Sequence, residues 1–279
     1  MPTDRLVSPD WLQERLGDPK IRIVEVDYHG TSAWDEGHIP GALGWFWKDW
    51  LWDPTMRDFP TPEEFARRCA AAGISDDTTV VFYGDPVQFG TYGWWVFTYM
   101  GHRDARVLDG GRVRWMKEKR PWTAEKTVVK PATYTPPAGR NDTMRKRLVD
   151  LLADLPRVGK GLALIDHRSP EEYRGERVNM PGNPDVGAER AGHIPGAKHL
   201  YFGDLIGEDT SFRDPATLER LLRAAGAGPD KDVVSYCRLS HRATLVYFAM
   251  TQLLGWTKVR SYDGSWTEYG SVVGVPIEK

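Results

Sequence analysis

The chain has 279 residues, 41% of them hydrophobic and 11% aromatic, enough to bury the cores of two ordinary domains. Its 37 basic and 39 acidic side chains leave a net charge of -2, which excludes a global attraction to nucleic acid or anionic lipid, so any anion binding has to be local. Only two cysteines occur, Cys69 and Cys237, too few for a disulfide framework and in no C-x-x-C or C-x-x-H spacing; a reducing compartment is expected, with neither metal nor cofactor.

The stretch MPTDRLVSPDWLQERLGD carries no basic patch followed by an apolar core, and no apolar run approaches the ~20 residues of a membrane span, so a soluble cytoplasmic protein is expected. A short apolar run follows at Ile23-Val24-Glu25-Val26-Asp27, then a turn segment, Gly37-His38-Ile39-Pro40-Gly41-Ala42. Trp45-Phe46-Trp47-Lys48-Asp49-Trp50-Leu51-Trp52 is too aromatic for a surface loop; it predicts core or interface packing, with some rings walling a cleft over Cys237 as the functional alternative. Pro62 to Arg68 reads as a helix, and Cys69 beside it as a small buried hydrophobe. Thr79-Val80-Val81-Phe82-Tyr83 and Val107-Leu108-Asp109-Gly110-Gly111 complete a strand-and-helix alternation.

These landmarks return in order. The turn reappears as Gly192-His193-Ile194-Pro195-Gly196-Ala197, Ile23 to Asp27 as Leu162 to Asp166, Thr79 to Tyr83 as Asp232 to Tyr236, and Val107 to Gly111 as Arg260 to Gly264. A domain duplication follows. Lys119-Arg120-Pro121, Pro131 and Pro136-Pro137 mark a stretch with no periodic pattern between the copies. The expected organisation is therefore a first domain over residues 1–120, a linker over 121–142 and a second domain over 143–279. Strands alternating with helices predict an α/β fold, each domain a mostly parallel doubly wound sheet flanked by helices, with ligands bound beyond the carboxyl ends of the strands.

One loop there carries chemistry. Asp232 to Tyr236 reads as a buried strand and Ala243 to Met250 as an apolar helix, and between them lies Cys237-Arg238-Leu239-Ser240-His241-Arg242. A thiol at a strand end, ahead of a helix and flanked by two arginines, is favoured as thiolate by the helix terminus, backbone N–H donors and cationic side chains. His38 and His193 sit beside Pro-Gly turns in both copies and read as turn locks rather than bases.

The paired G-H-I-P-G-A segments, the loop beginning Cys237-Arg238, and Tyr262-Asp263-Gly264-Ser265-Trp266-Thr267-Glu268-Tyr269-Gly270 resemble the tandem-domain rhodaneses, most closely the bacterial thiosulfate sulfurtransferases. The resemblance covers nearly the whole chain. It implies an inactive first domain, here with Asp85 after Val81-Phe82-Tyr83-Gly84 where the loop should stand, and a catalytic second domain. It also implies a substrate contact from the arginine after the early aspartate, which is Arg168 in Asp166-His167-Arg168.

The implied reaction forms a Cys237 persulfide from a small anionic donor, with Arg168, Arg238 and Arg242 binding the substrate. His241 either tunes Cys237 or faces solvent. Mercaptopyruvate enzymes of the family carry a small uncharged residue after the cysteine, so Arg238 favours thiosulfate. Ser240 stands where glycine is common, and a side chain there resists a positive φ. The acceptor is left open among cyanide, glutathione, thioredoxin and a cofactor-assembly protein, and a monomer is expected because the duplication supplies its own pairing. Cell-cycle phosphatases of the same fold need C-x5-R, whereas Cys237 to Arg242 is C-x4-R. A non-catalytic sulfur-sensing or interaction module leaves the cationic cysteine loop of the second copy unexplained.

Overall fold

The structure is a computed structural model that describes residues 4–178 and 187–279. It divides into two compact units, one running to Asn141 and taking in Glu208–Ser211, the other formed by Asp142–Gly207 and Phe212–Lys279. Residues 1–3, the start of the N-terminal stretch, lie outside the described residues, as do residues 179–186 of the second copy. No helix among the described residues is long and apolar enough to cross a membrane.

The first unit holds strands β1 (Leu6–Val7), β2 (Ile21–Asp27), β3 (Ala42–Phe46), β4 (Thr79–Asp85) and β5 (Ala105–Leu108), in the spatial order β1-β5-β4-β2-β3. The second holds β6 (Leu162–Asp166), β7 (Lys198–His199), β8 (Asp232–Tyr236) and β9 (Val259–Ser261), in the order β7-β6-β8-β9. All ladders in both sheets are parallel. The central strands are buried along most of their length, which is why they read as continuous Val- and Ile-rich runs rather than as alternation. Strands β4 and β8 are interior to their sheets, so both unload their C-terminal ends where a doubly wound sheet binds ligands.

The helices begin where local chemistry says they should. Thr61 caps Pro62–Ala71 by accepting from Glu64 N, and Asp214 caps Pro215–Ala224 by accepting from Thr217 N, each with proline in the first turn. Cys69 is buried on the first of these helices, and burial pushes its thiol well above the ordinary range. Residues 121–141 contain no helix or strand.

The aromatic run packs into the first unit. Trp45 and Trp47 are buried, Trp45 stacks on Trp50 at 4.4 Å between ring centroids, and Trp47 meets Trp52 edge-on. Both turn histidines act as locks: His38 Nδ1 donates to Trp34 O at 2.7 Å, and His193 Nδ1 donates to Tyr173 O at 2.8 Å. Each also stacks on the neighbouring ring, His38 on Trp34 and His193 on Tyr173.

Strand registers correct the alignment of the two copies. Glu25 pairs with Tyr83 in the first sheet and Asp166 with Tyr236 in the second. Both tyrosine hydroxyls accept the N–H of the turn isoleucine at 3.2 Å, from Ile39 and Ile194. Glu25, rather than Asp27, is therefore the counterpart of Asp166, and Asp27 that of Arg168. Likewise Phe82 pairs with Val107 and Ser235 with Ser261, so Val107 matches Ser261 rather than Arg260, and Gly111 matches Ser265. The position of Cys237 is filled by Gly84, and Asp85 stands where Arg238 does.

Candidate active site

Cys237 is the first residue beyond β8, and the helix His241–Phe248 starts four residues later. The intervening loop is tied down from the following segment. Ser265 Oγ accepts from Cys237 N and from Ser240 N, each at 3.2 Å, and donates to Tyr262 O at 2.8 Å. The carbonyls of Cys237 and Arg238 accept from Trp266 N and Thr267 N, at the start of the helix Ser265–Tyr269. Those carbonyl dipoles thus point at the helix, not at an incoming anion. Ser240 adopts φ 72°, the left-handed region that its glycine-like position requires, despite its side chain.

Cys237 is 1% exposed, and its neighbours Arg238, His241 and Arg242 are buried with it. The solvent-facing alternative for His241 is thereby removed. Arg242 forms a two-pronged pair with Glu172, Nη1 to Oε2 at 2.7 Å and Nη2 to Oε1 at 3.0 Å. Burial alone would raise the Glu172 carboxyl, but the Arg242 bonds outweigh it and hold the group at about 2. Burial works the other way on Arg242, and again loses: the bonds to Glu172 and the nearby Cys237 charge raise its affinity for the proton. The loop therefore keeps a permanent cation within reach of the sulfur, partly neutralised by a fixed carboxylate.

Arg168 is the arginine expected at the site from outside the cysteine loop. It is fully buried, its Nε lies 3.0 Å from both Asp166 oxygens, its Nη2 donates to Asp166 Oδ2 at 2.6 Å and to Gly192 O at 2.7 Å, and its guanidinium lies over the Trp266 ring. Nε and Nη2 so engaged brace the strand end, while Nη1 is buried without a hydrogen-bond partner. Of the expected site residues, Arg238, His241 and Arg242 share the loop with Cys237, while Arg168 follows β6 and is held by Asp166 and Gly192.

Two residues escaped the sequence reading. Glu172 was legible: Ser169-Pro170-Glu171-Glu172 is a capping-box pattern, and Ser169 and Glu172 do cap the helix Pro170–Tyr173 reciprocally. Its pairing with Arg242, 70 positions away, was not. Ser265 gave no local signal, since its work is done through tertiary hydrogen bonds.

The first unit leaves no room for a side chain at the matching position. A Cβ on Gly84 would lie 2.6 Å from Val26 O and 2.7 Å from Gly90 N, so the backbone closes over the position that Cys237 occupies in the second unit. The buried acid there, Glu25, receives Tyr83 Oη at 2.6 Å and is paired by Arg112 from the helix after β5. Asp27 is buried beside it and has its carboxyl raised to about 8 by burial, then by the Glu25 charge.

Comparison with known proteins agrees with this duplication. A family model described as a rhodanese-like domain matches residues 8–118 and again 146–271. The chain is 47% identical over 277 residues to the sulfur carrier protein TtuD of Thermus thermophilus, covering 98% of this chain and 96% of that protein. It is 45% identical over 276 residues to a Mycobacterium bovis protein provisionally named thiosulfate sulfurtransferase SseA, covering 98% and 90%. Among solved structures, the anaerobic ergothioneine biosynthesis enzyme of Chlorobium limicola, in complex with trimethyl histidine, superposes with a TM-score of 0.84 at 25% identity, covering 99% of this chain and 70% of that one.

Proposed function

Because the chain belongs to the rhodanese family, we propose that it is a sulfurtransferase that moves the sulfane sulfur of thiosulfate to a thiophilic acceptor through a Cys237 persulfide. The names of its relatives, a sulfur carrier and thiosulfate sulfurtransferases, support sulfur transfer as the class of activity. The observation that carries the reading within this chain is the thiol itself: it directly follows an interior parallel strand, in a tethered loop beside Arg238 and Arg242.

In the first half-reaction the Cys237 thiolate attacks the outer sulfur of thiosulfate, the S–S bond breaks, and sulfite leaves with the bonding electron pair. The enzyme retains Cys237–S–S⁻. In the second, cyanide or an acceptor thiolate attacks the terminal sulfur, giving thiocyanate or a new persulfide and regenerating the Cys237 thiolate. Arg238 and Arg242 offset the charge of the dianionic donor and of the departing sulfite. Arg168 acts at one remove, by fixing Asp166 and the turn carbonyl of Gly192.

One observation favours a second donor. Glu172 forms a two-pronged pair with Arg242, which lowers the net positive charge beside Cys237 and suits a monocarboxylate such as 3-mercaptopyruvate. Steady-state assays separate these readings. With thiosulfate and cyanide, the wild type should produce thiocyanate and Cys237→Ser none. A wild type active only with mercaptopyruvate would overturn the donor; one that instead hydrolyses an aryl phosphate, or is inert to every sulfur donor, would overturn sulfur transfer.

A further inference from the structure

The loop that presents Cys237 contains a residue that should resist its own conformation. Ser240 holds φ 72° with a side chain attached, in a fully enclosed setting where the loop cannot lean on solvent. Left to itself, a non-glycine residue relaxes toward negative φ, and that rotation would turn the peptide groups on either side of it. Three serines oppose this. Ser240 Oγ meets Ser261 Oγ at 2.9 Å, and Ser240 N donates to Ser265 Oγ, the same oxygen that accepts from Cys237 N. The Ser265 hydroxyl is saturated, with its proton on Tyr262 O and both acceptor sites used.

The first unit serves as an internal control. At the positions of Ser261 and Ser265 its matching strand and turn carry Val107 and Gly111, and it has no cysteine loop to hold. The same fold is therefore built without these hydroxyls. They accompany the loop and not the sheet.

We infer that Ser240 and Ser261, pegged by Ser265, form a hydroxyl clamp that locks the left-handed residue of the cysteine loop and so positions Cys237 for sulfur transfer. These are positioning residues, and their role in turnover rests on the reading of Cys237 given above. Ser261→Ala leaves Ser240 strained and its buried hydroxyl without this partner. Ser240→Gly removes both the strain and the need for the tether, because glycine adopts a positive φ freely.

The test is a cycle of Ser261→Ala, Ser240→Gly and the double variant in the full chain. Two readouts are taken: thiosulfate-to-cyanide kcat and KM, and the pH dependence of Cys237 alkylation by iodoacetamide, followed on its own peptide. Ser261→Ala should lower kcat about tenfold with KM for thiosulfate little changed, and move the alkylation midpoint upward, while the double variant returns to within about twofold of Ser240→Gly. An Ser261→Ala protein that matches the wild type in both readouts, or a double variant as impaired as Ser261→Ala, would overturn the clamp. Should Ser261→Ala fail to fold, Ser240→Ala against Ser240→Gly decides, with the alanine variant expected to be the slower; equal rates would overturn the clamp. Alkylation needs no sulfur donor, so a wild type that forms no persulfide but still shows the Ser261→Ala shift would sink the sulfurtransferase reading alone.

Discussion

The ends of β4 and β8 occupy the same place in two copies of one sheet, yet only the second is built around a reactive atom. Beyond Tyr83 the first unit closes its backbone on Gly84, with no room for a Cβ. Beyond Tyr236 the second unit opens a loop whose amides are held by Ser265 and whose cation, Arg242, is fixed by Glu172. The shared skeleton, tyrosine hydroxyl to turn isoleucine and acid to tyrosine, is intact in both. What separates a structural copy from a candidate active site is thus a handful of side chains at strand ends, while the layers beneath are common.

That contrast can be broken or sharpened in four ways. Glu172→Ala should destabilise the second unit by ~3–5 kcal/mol, because it leaves the Arg242 charge buried and unpaired. Urea unfolding followed by Cys237 alkylation would show it. Fluorescence should report less, since all but Trp256 and Trp266 of the 12 tryptophans fall in the first unit. Gly84→Cys should do the reverse, costing the first unit ~1–3 kcal/mol by overpacking and gaining no persulfide in a Cys237→Ser background. Sulfur transfer by that variant would mean that the cysteine position alone, without loop and clamp, suffices.

The pH responses of the two units should have opposite signs. Asp27 has its folded-state pKa raised to about 8, so its contribution to stability is full below the usual carboxylate range and is lost as pH rises through that value. Between about pH 6 and about pH 8 the fluorescence-detected unfolding free energy should fall by ~2 kcal/mol or more, because the neighbouring Glu25 carboxyl, raised by burial to about 7, adds to the same slope, and Asp27→Asn should make it shallower. Glu172 is depressed to about 2, so its contribution is full above the usual carboxylate range and is lost only as pH falls toward that value. The smallest effect is expected from Ser169→Ala, which removes one half of the capping box and should cost ~1 kcal/mol without altering the donor preference.

Much of the fold is legible in the sequence. Buried parallel strands announce themselves as Val- and Ile-rich runs, the first Pro-led helix as the stretch from Pro62 to Arg68, and the turns by Pro-Gly pairs with a histidine beside them. The cysteine loop stood out because a thiol between two arginines has few structural uses. Register did not stand out. Matching Asp27 to Asp166 by residue type misplaced the first landmark by two positions, since the fold preserves the acid that meets the tyrosine hydroxyl, and in the first unit that acid is a glutamate. Burial was equally hidden: Arg168 is identical on paper whether it reaches a substrate or stacks on Trp266. Ser240 was recognised as a strained choice, but the hydroxyls that make it tenable come from Ser261 and Ser265, which only the folded chain brings near.

The central claim is that sulfur is carried on Cys237 and on no other residue. The direct measurement is the intact and peptide mass of the full chain after incubation with thiosulfate in the absence of acceptor, with cyanide added afterwards. One additional sulfur atom on the Cys237 peptide, discharged by cyanide with release of thiocyanate, is the predicted result. An unmodified Cys237, or the added sulfur on Cys69 instead, would contradict it.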